Sequence, residues 1–140
     1  MNYKFIGDAV MIFYGAPEET PDKDNALNCV KMAIDMQEKM KELQKKWFHE
    51  GIENPLEIRI GISTGTATVG NFGAEDRLSY TVIGSQVNIA SRLEGICEPN
   101  KIKISHPTWA LISEEIECTP GEKVKVKGIN REIMTYDVLN

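Results

Sequence analysis

A chain of 140 residues holds about one domain, and its ordinary apolar content allows a sizeable core. The net charge of -5 excludes a general nucleic-acid binder, which would present a basic face. Cys29, Cys97 and Cys118 are widely spaced, without a C-x-x-C or His-rich pattern; they read as reduced thiols in a cytoplasmic protein. There is no signal-peptide pattern and no long apolar run, so this segment predicts no membrane contact.

The chain opens on Lys4 to Gly15, which predicts two short strands joined tightly at Gly7-Asp8. Gly15 to Pro21 reads as a loop from its Pro and Gly content. Asp22 or Asp24 is then placed to cap a long helix, whose apolar stripe runs through Ala26, Cys29, Val30, Ala33, Ile34, Met40, Leu43 and Trp47. Gly51 ends it. Leu56 to Ser63 alternates as a strand with Ile58, Ile60 and Ile62 on one face, and β-branched Thr66 to Val69 predicts another. Gly65 and Gly70 have part of a phosphate-loop spacing, but Asn71 follows where Lys and Ser/Thr are required, so they read as turn and close-approach glycines.

A polar loop at 74–77 precedes a strand at Tyr80, followed by a helix from Gly84 to Cys97. A strand at Ile102–Ser105, a short helix near Thr108–Ile112, and strands near Val124–Val126 and Ile133–Val138 complete the chain. The mixture predicts an α+β fold, with a mostly antiparallel sheet covered by helices on one face.

Two segments carry chemistry. Asn88 and Arg92 lie four residues apart on the predicted second helix and so share one face. A neutral hydrogen-bonder beside a planar cation suits a sugar and a phosphate, although such pairs also occur on merely solvated helices. Asp8, at the first turn, sits where a carboxylate can meet a hard cation such as Mg2+, although Asp is also an ordinary turn residue.

In order, K-x-I-G-D-A-V-M from Lys4, G-I-x-x-G-x-x-x-V-G-N-F-G from Gly61, and Y-T-V-I-G-x-x-V-N-x-A-S-R-L-E from Tyr80 resemble the class III nucleotidyl cyclase catalytic domain. The match runs from Lys4 to the C-terminus. It implies a ferredoxin-like fold and conversion of ATP to 3',5'-cyclic AMP and pyrophosphate. Two metal ions, Mg2+ or Mn2+, would act at a homodimer interface. By position, Asp8 would bind metal, Asn88 would orient the ribose, Arg92 would stabilise charge at the reacting phosphate, and Lys127 would hold the terminal phosphates. Lys123 and Lys125 alternate with Lys127 and compete for that last role.

Lys4 and Thr81 fall where family members read the base. A Lys donor facing N1 and a hydroxyl near N6 fit adenine, whereas guanine presents a donor at N1. The plain alternatives are an exposed strand lysine and an ordinary β-former. The family's first metal-binding Asp, with its strand and first helices, has no counterpart before Lys4, which implies a single N-terminally truncated domain over residues 1–140, inactive on its own. The alternative function is a catalytically degenerate cyclase-like module that dimerises or binds nucleotide to regulate a partner. A related diguanylate cyclase is set aside, because no G-G-[DE]-[DE]-F loop is present.

Overall fold

The computed structural model describes residues 1–15, 21–72 and 79–140, with the backbone alone described for most of the two strands at 68–72 and 79–83. The loops expected at Gly15–Pro21 and 74–77 lie largely or wholly outside the described residues.

Strands β1 (Asn2–Ile6) and β2 (Ala9–Phe13) form the expected hairpin, in antiparallel register with Ile6 opposite Ala9, so that Gly7 and Asp8 make a two-residue turn. Helix α1 (Asp22–His49) follows. Its N-cap is Pro21 and no side chain caps it; Asp22 and Asp24 instead lie in its first turn, where they favour the positive end of the helix dipole. The predicted capping is therefore replaced by this electrostatic contact. The helix stops at His49, and Gly51 turns the chain in the left-handed region (φ 102°).

The strand expected from Leu56 shrinks to β3 (Ile60–Ile62). The preceding backbone makes scattered hydrogen bonds instead of a continuous ladder, and the Asn100 N–H donates to the Ile58 carbonyl at 2.9 Å. Gln37 Nε2 donates to the Ile58 and Lys101 carbonyls at 3.1 and 3.0 Å, and Gln44 Nε2 donates to the Leu56 carbonyl at 3.1 Å. Next come β4 (Thr68–Phe72), two residues later than expected, and β5 (Ser79–Ile83), paired antiparallel. Helix α2 (Ser85–Ile96), β6 (Ile102–Ser105), α3 (His106–Ile112), β7 (Cys118–Val124) and β8 (Ile133–Val138) complete the order. β7 begins six residues before the predicted Val124 and is broken by a register shift between Pro120 and Lys123, an irregularity that spoils the alternation of a regular strand.

Four strands form the central sheet in the order β3–β6–β8–β7, with β3 and β6 parallel and the other pairs antiparallel. The α+β class is as expected, but the helices cover both faces. On one face, Ile62, Ile102, Ile104, Tyr136 and Val138 pack with Ala26, Val30 and Ala33 of α1 and Ile112 of α3. On the other, Val124 and Ile133, together with Val126 just beyond β7, pack with Ile89 and Leu93 of α2. Strand alternation makes this sorting unavoidable: Ile60 and Ile62 project one way and Gly61 the other. A Cβ at Gly61 would run into the Glu94 amide nitrogen and the Ala90 carbonyl oxygen, so only glycine lets α2 come this close.

Beneath α2, Lys103 is 4% exposed. Its Nζ lies 3.0 Å from Asp137 Oδ1 and 3.1 Å from Glu122 Oε1. Burial opposes the ammonium charge, yet hydrogen bonds and charge attraction from Asp137 and Glu122 outweigh it and raise the Lys103 pKa above its ordinary value. Lys103 in turn holds the Glu122 carboxyl below the usual range, mainly through their hydrogen bond.

Candidate nucleotide site

α2 begins directly after β5, at Gly84, and carries Asn88 and Arg92 on its solvent side. Their neighbours Ile89 and Leu93 are 2% and 0% exposed and root the helix in the core. Among the described residues, neither the Asn88 nor the Arg92 side chain has a hydrogen-bond or ion-pair partner. Both polar heads are available to a ligand on a fixed support. The start of α2 is held from β3's side as well: the Ser63 hydroxyl donates to the Gln86 carbonyl, and a Cβ on Gly65 would run into the Gln86 side chain.

Lys127 follows Val126 at a tight turn in which the Ile129 N–H donates to the Val126 carbonyl at 3.0 Å. Gly128, with φ +87°, occupies the turn position that needs a left-handed backbone. The exposed Lys127 is thus set on a short turn rather than on a strand face. Because Val126 shares a core cluster with Ile89 and Leu93, the turn and the Asn88–Arg92 helix belong to one packed unit.

The hairpin supplies the other candidates. Lys4 is half-buried on β1, opposite Met11, and Asp8 is exposed at the turn. β1 touches β5, so the strand of Lys4 lies beside the strand of Thr81. Thr81 pairs with Gly70 along the β4–β5 ladder, while its side chain lies outside the described residues. Asp8 offers the hard oxygen donor that Mg2+ or Mn2+ prefers. It is a single carboxylate: among the described residues, no three His, Cys, Asp or Glu side chains come together as a metal-binding group.

Sequence reasoning met Lys125 only as a competitor of Lys127 and passed over Asn130 and Arg131; the three line a groove at the β7–β8 connection with Ile129 and Glu132. The signal was present in the Lys123, Lys125, Lys127 alternation, but only the folded turn separates one lysine from the next. The buried Lys103 was also missed, because a lysine inside a strand of four residues gives no sequence sign of two carboxylates on neighbouring strands.

The family model of the adenylate and guanylate cyclase catalytic domain matches residues 2–140. The chain belongs to this family. Adenylate cyclase 1 of Rhizobium meliloti is 32% identical over 97% of the chain, which spans 20% of that protein. The terminal-differentiation-specific adenylate cyclase of Dictyostelium discoideum is 32% identical over 98% of the chain, which spans 6% of it. The chain therefore covers a minor part of these curated relatives. Among solved structures, the adenylyl cyclase CyaB from P. aeruginosa superposes with a TM-score of 0.93 at 47% identity, over 99% of this chain and 70% of that one. The guanylyl cyclase Cya2 superposes with a TM-score of 0.88 at 33% identity, over 98% of this chain and 68% of that one. Cyclases named for either base thus share this fold. Among the described residues, no helix of this cyclase domain is long and apolar enough to cross a membrane.

Proposed function

We propose that this cyclase domain forms 3',5'-cyclic AMP and pyrophosphate from ATP, at a site completed by a second copy of the domain. The observation that carries this reading is the exposed Asn88–Arg92 pair on a helix packed into the same core as the Lys127 turn. Asn88 accepts and donates to the ribose and aligns its 3'-hydroxyl with the α-phosphorus. As that oxygen attacks and pyrophosphate departs, negative charge grows on the phosphate oxygens. Arg92 answers this charge with a planar fork that needs little reorganisation. Lys127 holds the departing end of the triphosphate.

Asp8 would supply one carboxylate to a divalent cation, whose chemistry is to neutralise charge on the reacting phosphates. A metal pair needs a second carboxylate beyond those grouped among the described residues.

The choice of ATP over GTP rests on Lys4 and Thr81. The 47% identity to an adenylyl cyclase, against 33% to a guanylyl cyclase, supports it. In the full-length protein, Lys4→Glu with Thr81→Cys should weaken ATP use and shift preference toward GTP. An unaltered ATP/GTP ratio would remove both residues from base reading. The competing reading, a degenerate regulatory module, leaves Asn88 and Arg92 without a task. It would prevail if the full-length protein bound ATP but released no pyrophosphate.

A further inference from the structure

The connection from β7 to β8 forms a groove of about 420 Å3, lined by Lys125, Ile129, Asn130, Arg131 and Glu132. Its lining brings two cations and one carboxylate together, a net positive spot on a domain that carries -5 overall. Among the described residues, no carboxylate forms an ion pair with Lys125 or Arg131; the described ion pairs involve Lys23, Lys39, Arg59 and Lys103. An unpaired guanidinium, an ammonium and an amide N–H2 on one short connection match a multiply charged oxyanion. Arg131 can engage it through two parallel N–H bonds.

The groove is tied to the site described above. Ile129 packs against the cluster that holds Ile89, Leu93 and Val126. The Gly128 turn connects Lys127 to the groove wall within four residues.

We infer that this groove binds a diphosphate group, and that Arg131 and Lys125 are its ligands, one step beyond Lys127. The inference rests on the cyclase reading for the source of the group, since that reaction releases pyrophosphate. The groove's own chemistry asks only for the diphosphate. It serves either free pyrophosphate on its way out or the tail of the bound triphosphate.

The test is calorimetric titration of the 140-residue chain with inorganic pyrophosphate in EDTA, which removes metal from the comparison. Losing two charged donors should raise Kd about tenfold or more in Lys125→Ala/Arg131→Ala. Lys123→Ala, an exposed lysine within β7 and outside the groove, should stay within about twofold of wild type. Unchanged binding by the double variant, or an equal loss in Lys123→Ala, would overturn the proposal. In the full-length protein, the double variant should weaken product inhibition by pyrophosphate. A matching rise in KM for ATP identifies the triphosphate tail as the occupant, and an unchanged KM identifies the free product. If the full-length protein makes no cyclic nucleotide while the chain still binds pyrophosphate through Arg131, the cyclase reading falls and the groove assignment stands.

Discussion

Arg92 has no partner of its own among the described residues, so its removal leaves no buried charge behind and should not unfold the domain. Its proposed contact belongs to the transition state. Arg92→Ala in the full-length protein should therefore lower kcat about a hundredfold, ~3 kcal/mol, with little change in KM. A near-normal kcat would return Arg92 to the solvated face of α2. Cys29 illustrates the opposite case, a reactive group made inert by its surroundings. Burial against the core raises its thiol pKa to about 11, well above the ~8.5 of a free thiol. In folded protein at pH 8.5 it stays protonated, whereas in unfolded chain roughly half is thiolate. Alkylation at pH 8.5, followed by mass spectrometry of the Cys29 peptide, should be slow natively and fast in denaturant. Equal rates would show that α1 does not shield it.

Among the elements, α2 depends on one atom that is absent. Gly61→Ala would set a methyl group inside contact distance of the backbone at Ala90 and Glu94, which cannot swing aside as a side chain can. Overpacking of this kind costs about 1–3 kcal/mol or more, and it should displace Asn88 and Arg92 with the helix. Thermal unfolding and kcat should fall together. The Lys103 clasp across β6, β8 and β7 gives a pH prediction with a definite sign. The folded Glu122 pKa is lowered, so its stabilisation is present above about pH 4.3 and is lost as the pH falls through the folded value. The folded Lys103 pKa is raised, so its stabilisation is complete below about pH 10.4 and is lost only as the pH rises through the folded value. Urea midpoints for Glu122→Gln should converge on wild type in acid; a constant gap would disprove the assignment.

These elements also show how far pattern carries. The Gly7-Asp8 hairpin, α2 and β8 were readable, because alternation, a turn dipeptide or a helical face announced each locally. β3 was overextended because Ile58 looked like a strand residue, while its carbonyl is shared between Gln37 Nε2, 21 positions earlier, and the Asn100 N–H of a following turn. The proposed base-reading residues could be named only through family resemblance, since Lys4 and Thr81 sit 77 positions apart and only the contact of β1 with β5 brings their strands together.

At the scale of the molecule, sheet edges stand open among the described residues. Among the described residues, β2 pairs only with β1 and β3 only with β6. The hairpin also exposes Tyr3, Phe5, Ile6 and Val10 at 61%, 70%, 52% and 48%. Unpaired edges beside apolar side chains recruit other chains. The 140-residue chain should therefore show a mass by light scattering that rises with concentration, and Phe5→Lys with Val10→Lys should reduce it. A monodisperse wild-type monomer would show those edges to be protected. The strand order has its own outcome for biosynthesis. β8, latest in sequence, lies between β6 and β7 and bonds to both. While a ribosome is still extending the chain, the hairpin, α1 and α2 can form early, but the central sheet has no middle. It can close only after residue 138 has cleared the exit tunnel, so a nascent domain stalled before that point should remain protease-sensitive, however long the pause.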